Sequence, residues 1–315
     1  MKRLSTDGVL AVELSERSGP AVGQPGFDIE VARRTAHHQS EALGDDVELA
    51  AVPCRIYRPL YGAKQPLVAV FLHGGGWILG DLETDDARCQ RIADHSGWTL
   101  VSVGYRLAPE NPYPAALEDV VAVYDWLSCN QHPLIGGQPA IALGLIGDSS
   151  GANLAAAAAL ELCHRTVRPS ALILLSPVLD LARSYPAPHD GVRTRLTPEV
   201  IEACINQYIP PHRRAEPAAS PLRASKFDDL PATLVVTGEH DILRPAAERY
   251  LELLADAGVS ATGICYDGMP HSFGPIDKSA TARHAADAVA AFLADSTRQG
   301  AVPTLDRRVT YDGWS

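Results

Sequence analysis

The sequence has no long apolar run. The longest, Leu67–Leu72 and residues 155–160, fall far short of the roughly 20 residues that a bilayer-spanning helix needs. The apolar stretch at residues 8–12 is too short for a signal-peptide core, so a soluble, cytoplasmic chain is expected. Basic stripes are missing as well. Arg33-Arg34 and Arg213-Arg214 are isolated pairs in a chain of net charge −11, a balance that speaks against nucleic acid as a partner. Cysteines at metal or redox spacing are also lacking. The six, at 54, 89, 129, 163, 204 and 265, form no C-x-x-C and stand in apolar or helical surroundings, which points to buried free thiols. His37-His38 is the one histidine cluster. It has no Cys or carboxylate at ligand spacing and reads as surface. There is no internal repeat, and no metal or cofactor is expected.

What is present is an alternation of short apolar runs and helical spacings. With 315 residues and a hydrophobic fraction of 46%, the chain has material for a sizeable core in one large or two ordinary domains. Residues 1–44 are polar and broken by Gly19-Pro20 and Pro25-Gly26, with one helix expected over 29–43. They read as an arm or cap outside the sheet. Residues 47–52 and 54–58 alternate in character and suggest an antiparallel pair at a sheet edge. Leu67–Leu72 is a continuous apolar run, as expected of a strand buried on both faces. A helix over 81–96, a strand at Thr99–Val103 and a helix over 115–127 follow. Next come a strand over 141–146, an Ala-rich helix over 152–163 and a strand over 171–175. Residues 183–225 break the alternation with Pro, Arg and His and hold one helix, Pro198–Tyr208. An insertion of this size reads as a lid or cap. Strand 233–237, helix 246–256, strand Ala261–Tyr266 and helix 280–293 complete the pattern, and residues 296–315 form a polar tail. Such alternation implies an open, mostly parallel sheet with helices on both faces. Ala261–Tyr266, as the last strand, is expected to be an open edge able to pair with a second copy across a two-fold axis.

The chemistry centres on Gly147-Asp148-Ser149-Ser150-Gly151, where a strand runs through a sharp turn into a helix. A serine at such a turn is lifted above the sheet beside a helix N-terminus. A hydroxyl is a weak nucleophile and needs a base, and the base needs a carboxylate to orient it. His271, in a Gly- and Pro-containing loop after the last strand, is the candidate base. Asp241 is the candidate acid, with Glu239 and Asp267 as rivals nearby. A developing oxyanion needs fixed donors. The His73-Gly74-Gly75-Gly76 loop offers bare N–H groups after a buried strand, and the N–H of Ser150 offers another. Every one of these residues follows an expected strand, where functional groups of open α/β sheets collect.

His73-Gly74-Gly75-Gly76-Trp77, Tyr105-Arg106-Leu107-Ala108-Pro109-Glu110 and Gly147-Asp148-Ser149-Ser150-Gly151 together resemble the hormone-sensitive-lipase family of carboxylesterases, over residues 45–295. The resemblance implies an α/β-hydrolase fold, with a mostly parallel central sheet, helices on both faces and a helical cap. It implies an N-terminal cap arm at 1–44, a core at 45–182 and 226–295, a cap insertion at 183–225 and a tail at 296–315. It further implies Ser149 as nucleophile, Asp241 as acid and His271 as base. Gly75, Gly76 and Ser150 become the oxyanion donors, with His73 and Glu110 bracing the glycine loop. Ser150, Ile242, Arg244 and Ser272 depart from the family's usual residues, and these changes suggest a pocket tuned away from its commonest substrates. Asp148, Tyr105 and Arg106 read as structural.

The leading functional expectation is hydrolysis of short- to medium-chain carboxylic esters, a small-molecule substrate, through an acyl-enzyme. A deacetylase, amide hydrolase or acyltransferase could use the same residues on a specialised metabolite. A ligand-binding protein on a hydrolase scaffold is the reading from another class.

Overall fold

Buried apolar runs form the middle of one twisted sheet. The computed structural model describes residues 2–4, 22–24, 26–36, 42–61, 65–186, 194, 196–271, 273 and 276–298. Among these residues nine strands lie side by side in the order β1 (Lys2–Leu4), β9 (Ala261–Tyr266), β8 (Thr233–Gly238), β7 (Pro169–Leu175), β6 (Ala142–Asp148), β4 (Leu67–Leu72), β5 (Thr99–Val103), β3 (Val52–Tyr57) and β2 (Asp45–Leu49). The β2–β3 and β3–β5 pairs are antiparallel, and all others are parallel. The antiparallel edge pair therefore stands where the alternating residues 47–58 place it.

Period two along β4 splits the core between two faces. Val68, Val70 and Leu72 join one apolar cluster, and Ala69 and Phe71 join the other. The helices are α1 (Ile29–Ala36), α2 (Asp86–Ser96), α3 (Ala115–Cys129), α4 (Ser150–Leu162), α5 (Pro198–Tyr208), α6 (Arg244–Asp256) and α7 (Ala280–Arg298). The first face is covered by α3, α4 and α6. The second is covered by α2 through Cys89, Ile92 and Ala93, and by α7 through Ala282 to Leu293. The alanines of α4 are buried nearly throughout, because their small side chains let the helix lie close on the sheet.

Several elements differ from the sequence reading. The helix expected over 81–96 begins only at Asp86. Residues 81–85 fold as turns because their side chains bond the backbone locally: Asp81 N–H donates to Thr84 Oγ1 at 2.9 Å, and Glu83 N–H donates to Asp81 Oδ1 at 3.1 Å. The N-terminal arm is not wholly outside the sheet, since β1 adds a parallel strand to β9 with Arg3 opposite Cys265. The last strand is accordingly not an open edge. Helix α7 runs to Arg298, into the stretch expected as tail. Of the expected helix over 29–43, Ile29–Ala36 is described as helix, and residues 37–41, with His37-His38, and residues 299–315 lie outside the described residues.

Of the segments expected to form the cap, Val22–Gln24, α1 and α5 are among the described residues. Thr197 caps α5 by accepting from the Val200 N–H at 3.4 Å, with Pro198 next to it. The arm presses on α5 at Gly23, where an added Cβ would lie 2.8 Å from Ala203 Cβ. No described helix is long and apolar enough to cross a membrane.

Candidate active site

Strand β6 ends at Asp148 and α4 starts at Ser150, so Ser149 alone makes the turn between them. Its backbone sits at φ 55°, ψ −112°, a conformation that a non-glycine residue holds only when its surroundings enforce it. Here they do. The Ser149 N–H donates to Leu175 O at 2.8 Å, and its carbonyl accepts from Asn153 N–H at 3.1 Å. Glycine at 151 is required by close approach, since a Cβ there would overlap the Leu72 carbonyl.

His271 reaches the turn from the loop after β9. Its Nε2 lies 3.0 Å from Ser149 Oγ, and its Nδ1 lies 3.0 Å from Asp241 Oδ2. The imidazole is 12% exposed and the carboxylate 0%. Asp241 Oδ1 also accepts from the Leu243 N–H at 2.9 Å. Burial alone would raise the Asp241 carboxyl. His271, the Leu243 N–H and the Ser176 hydroxyl outweigh it and hold the pKa below the ordinary 3.8. Burial alone would lower His271, but the adjoining Asp241 carboxylate overrides it and holds the imidazole above 6.5. Of the rival acids, Glu239 turns away, and its Oε2 accepts from the Gly268 N–H at 2.8 Å. It braces the histidine loop rather than the histidine.

The glycine loop lies beside Ser149, close enough that a methyl at Gly74 would stand 3.6 Å from Ser149 Cβ. Gly75 has φ 122° and its carbonyl accepts from the N–H groups of Ile78 and Leu79, which closes a turn only glycine enters without strain. Among the described residues, the N–H groups of Gly75, Gly76 and Ser150 donate to no protein acceptor. His73 anchors the near end of the loop. It is buried, stacked on Tyr105 at 4.2 Å, and its carbonyl accepts from the Tyr105 hydroxyl at 2.8 Å. The Ser150 side chain departs from expectation. Its hydroxyl is fully buried and interacts with the Tyr105 side chain, outside ordinary hydrogen-bond geometry. The Ser150 hydroxyl is therefore shut off from solvent.

Behind the turn, Asp148 Oδ2 pairs with buried Arg88 at 2.7 Å, and Arg88 also meets Asp85 at 3.0 Å. Burial pushes Asp85 up to about 6, with Arg88 opposing and Asp148 adding to the rise. Asp148 is thus structural, as is Arg106, which bonds Asp119 at 2.9 Å. Among the described residues, Glu110 pairs with Arg33 rather than hydrogen-bonding to the glycine loop itself. It reaches the loop through Arg33 of α1, which the sequence reading passed over as half of a basic pair.

A description of the alpha/beta hydrolase fold matches residues 69–274. The chain is 35% identical to the carboxylic ester hydrolase LipN of Mycobacterium tuberculosis over 70% of its own length and 61% of the relative's. It is 33% identical to an arylesterase of Saccharolobus solfataricus over 80% of each chain. Another, larger curated relative is 34% identical, and the chain spans only 29% of its length. Among solved structures, a Pyrobaculum calidifontis esterase superposes with TM-score 0.80 at 30% identity, covering 92% of this chain and 98% of the other. With the fold, the turn and the glycine loop in these positions, the chain belongs to the alpha/beta hydrolase fold family, in its hormone-sensitive-lipase type.

Proposed function

We propose that the protein is a serine carboxylesterase acting on short- to medium-chain carboxylic esters. Ser149 Oγ attacks the ester carbonyl while His271 Nε2 takes its proton, and Asp241 holds the Nδ1–H and balances the imidazolium that forms. The carbonyl oxygen becomes an oxyanion among the N–H groups of Gly75, Gly76 and Ser150. Each such donor is worth on the order of 100- to 1,000-fold in turnover. His271 then protonates the departing alcohol. Water, activated by the same imidazole, releases the acid from the acyl-enzyme.

The observation that carries this reading is the line Ser149–His271–Asp241, joined by two contacts of 3.0 Å beside three uncommitted N–H groups. A limited acyl length is supported by the cap, which lies directly on the oxyanion loop. Trp77 stacks on Tyr208 of α5 at 4.6 Å, and Cys204 of α5 fills the space over Gly76, where an added Cβ would lie 2.6 Å from its Sγ.

The test is a chromogenic ester series from acetyl to dodecanoyl, with Ser149→Ala beside the wild type. Turnover that peaks at the short acyl groups and vanishes in Ser149→Ala is the expected outcome. Equal turnover in the variant defeats the assignment of Ser149. A peak at dodecanoyl defeats the chain-length reading. Matching anilides, and an added alcohol as acyl acceptor, separate ester hydrolysis from amide hydrolysis and acyl transfer.

A further inference from the structure

Arg33 of α1 joins the N-terminal arm to the oxyanion loop. Arg33 of α1 donates from Nε to Ile78 O at 2.9 Å and from Nη2 to Ala108 O at 2.9 Å. The outer edge of the same guanidinium forks onto Glu110, at 2.9 Å and 3.0 Å to its two carboxylate oxygens. Ile78 is two residues past Gly76, at the far end of the turn that aims the Gly75 and Gly76 N–H groups. Ala108 belongs to the neighbouring loop, and its N–H donates to the Trp77 carbonyl at 2.9 Å. Arg33 therefore ties together the arm, the far end of the oxyanion turn and the loop that abuts it. The near end is held from the core by Tyr105, and the far end is held by Ala108 of the neighbouring loop and, from the cap side, by Arg33 and by Tyr208 stacked on Trp77.

From this geometry we infer that Arg33 is a positioning residue for the oxyanion hole, so that docking of α1 and completion of the hole are one event. The inference rests on the esterase reading. Arginine is needed because one planar fork addresses two carbonyls and a carboxylate at once, whereas a lysine ammonium is a single point. The contribution is geometric more than energetic. The Glu110 carboxylate is half exposed, and exposed ion pairs add little stability. A backbone shift of about 1 Å at the donors, by contrast, costs up to about 100-fold in rate.

Arg33→Ala and Arg33→Lys are compared with the wild type and Ser149→Ala on p-nitrophenyl acetate. Binding of an aryl trifluoromethyl ketone, whose hemiketal oxyanion fills the hole, is measured alongside. Both Arg33 variants should lose about ten- to 100-fold in kcat with KM held within about threefold, and the ketone should weaken in step with kcat/KM. Unchanged kcat and ketone affinity, with only a lower Tm or a raised KM, would mean that Arg33 merely pins the arm, and this overturns the inference. Full kcat in Arg33→Lys also overturns it, because charge without the fork would then suffice. If Arg33→Ala fails to fold, Arg33→Lys carries the same measurements. The two readings fail separately. A wild type no more active than Ser149→Ala defeats both, whereas a Ser149-dependent wild type matched by its Arg33 variants defeats this one alone.

Discussion

Glu239 and Asp241 stand two residues apart and grip the same loop at different points: Glu239 accepts from the Gly268 N–H at 2.8 Å, and Asp241 faces His271 Nδ1 at 3.0 Å. The division of labour predicts opposite mutational outcomes. In Asp241→Asn the amide cannot hold the imidazole in the right tautomer with its charge balanced, and kcat should fall by about 10,000-fold. In Glu239→Gln the amide oxygen still accepts from Gly268, and kcat should stay within about threefold. Steady-state kinetics on a short-chain ester decides it, and a collapse in Glu239→Gln with a mild Asp241→Asn would exchange the two roles.

The acid limb of the pH–rate profile should report His271. The imidazole must be neutral to accept the Ser149 proton, and the adjoining Asp241 holds its pKa above 6.5. Measured kcat/KM should therefore rise with pH through a value above 6.5. In Asp241→Asn the larger supporting charge is gone and burial is opposed by Asp148 alone, so the limb should move to lower pH even as the plateau collapses. Asp148 with Arg88 and Asp85 is present in both proteins and drops out of the comparison. The same shift has a sign in stability. A histidine whose folded pKa is raised contributes stability that is fully present below about 6.5 and is lost as pH rises through the folded value. Asp241, held below 3.8, contributes above that value and loses its share as pH falls through its own folded pKa. The Tm advantage of the wild type over His271→Gln should accordingly be largest between about 4 and 6.5 and shrink above.

Ser150 tests whether a side chain next to the nucleophile matters. Its hydroxyl is buried with only a poorly aligned contact to Tyr105, and burying a hydroxyl without a well-formed hydrogen bond costs on the order of 1 kcal/mol or more. Ser150→Ala removes the hydroxyl and keeps the N–H. Its Tm should equal or exceed that of the wild type, with kcat within about threefold, while Ser149→Ala loses around a million-fold. A loss of about 100-fold in Ser150→Ala would show that the hydroxyl itself takes part.

Strands buried on both faces were legible because their apolar runs are continuous and bounded by turn residues, as in Leu67–Leu72 before the His73 glycine loop. Ser149 and His271 were legible for a related reason: each follows a strand that announces itself. Other features carry no periodic signal. Three residues, Lys2 to Leu4, are too few to show alternation, and their strand exists only because β9 offers an edge. Glu239 and Asp241 are both acids after one strand, and only the direction each side chain takes separates them. Arg33 lies far from Ile78 and Glu110 in the chain, and a contact across that distance leaves no mark on local spacing.

The two edges of the sheet are guarded by different means, and this predicts an oligomeric consequence. At one end, β2 presents Asp45, Asp46 and Glu48 to solvent, and charge on an edge strand discourages pairing with another chain. At the other end, β9 reads Ala-Thr-Gly-Ile-Cys-Tyr and has no charge to offer. Its protection is physical. Lys2, Arg3 and Leu4 lie parallel to Ile264, Cys265 and Tyr266 and leave a three-residue strand as the outermost element among the described residues, too short a template for stable extension. Removing residues 1–4 should bare the β9 ladder and shift the chain towards a larger species as concentration rises. Light scattering after size exclusion would read the change. Turnover per chain should persist, because Ser149 and Asp241 follow the inner strands β6 and β8, and the loop after β9 that carries His271 is braced by Glu239 through the Gly268 N–H rather than by β1. A truncated chain with unaltered mass would mean that β1 is not the guard, and that the twist of β9 alone keeps a second copy away.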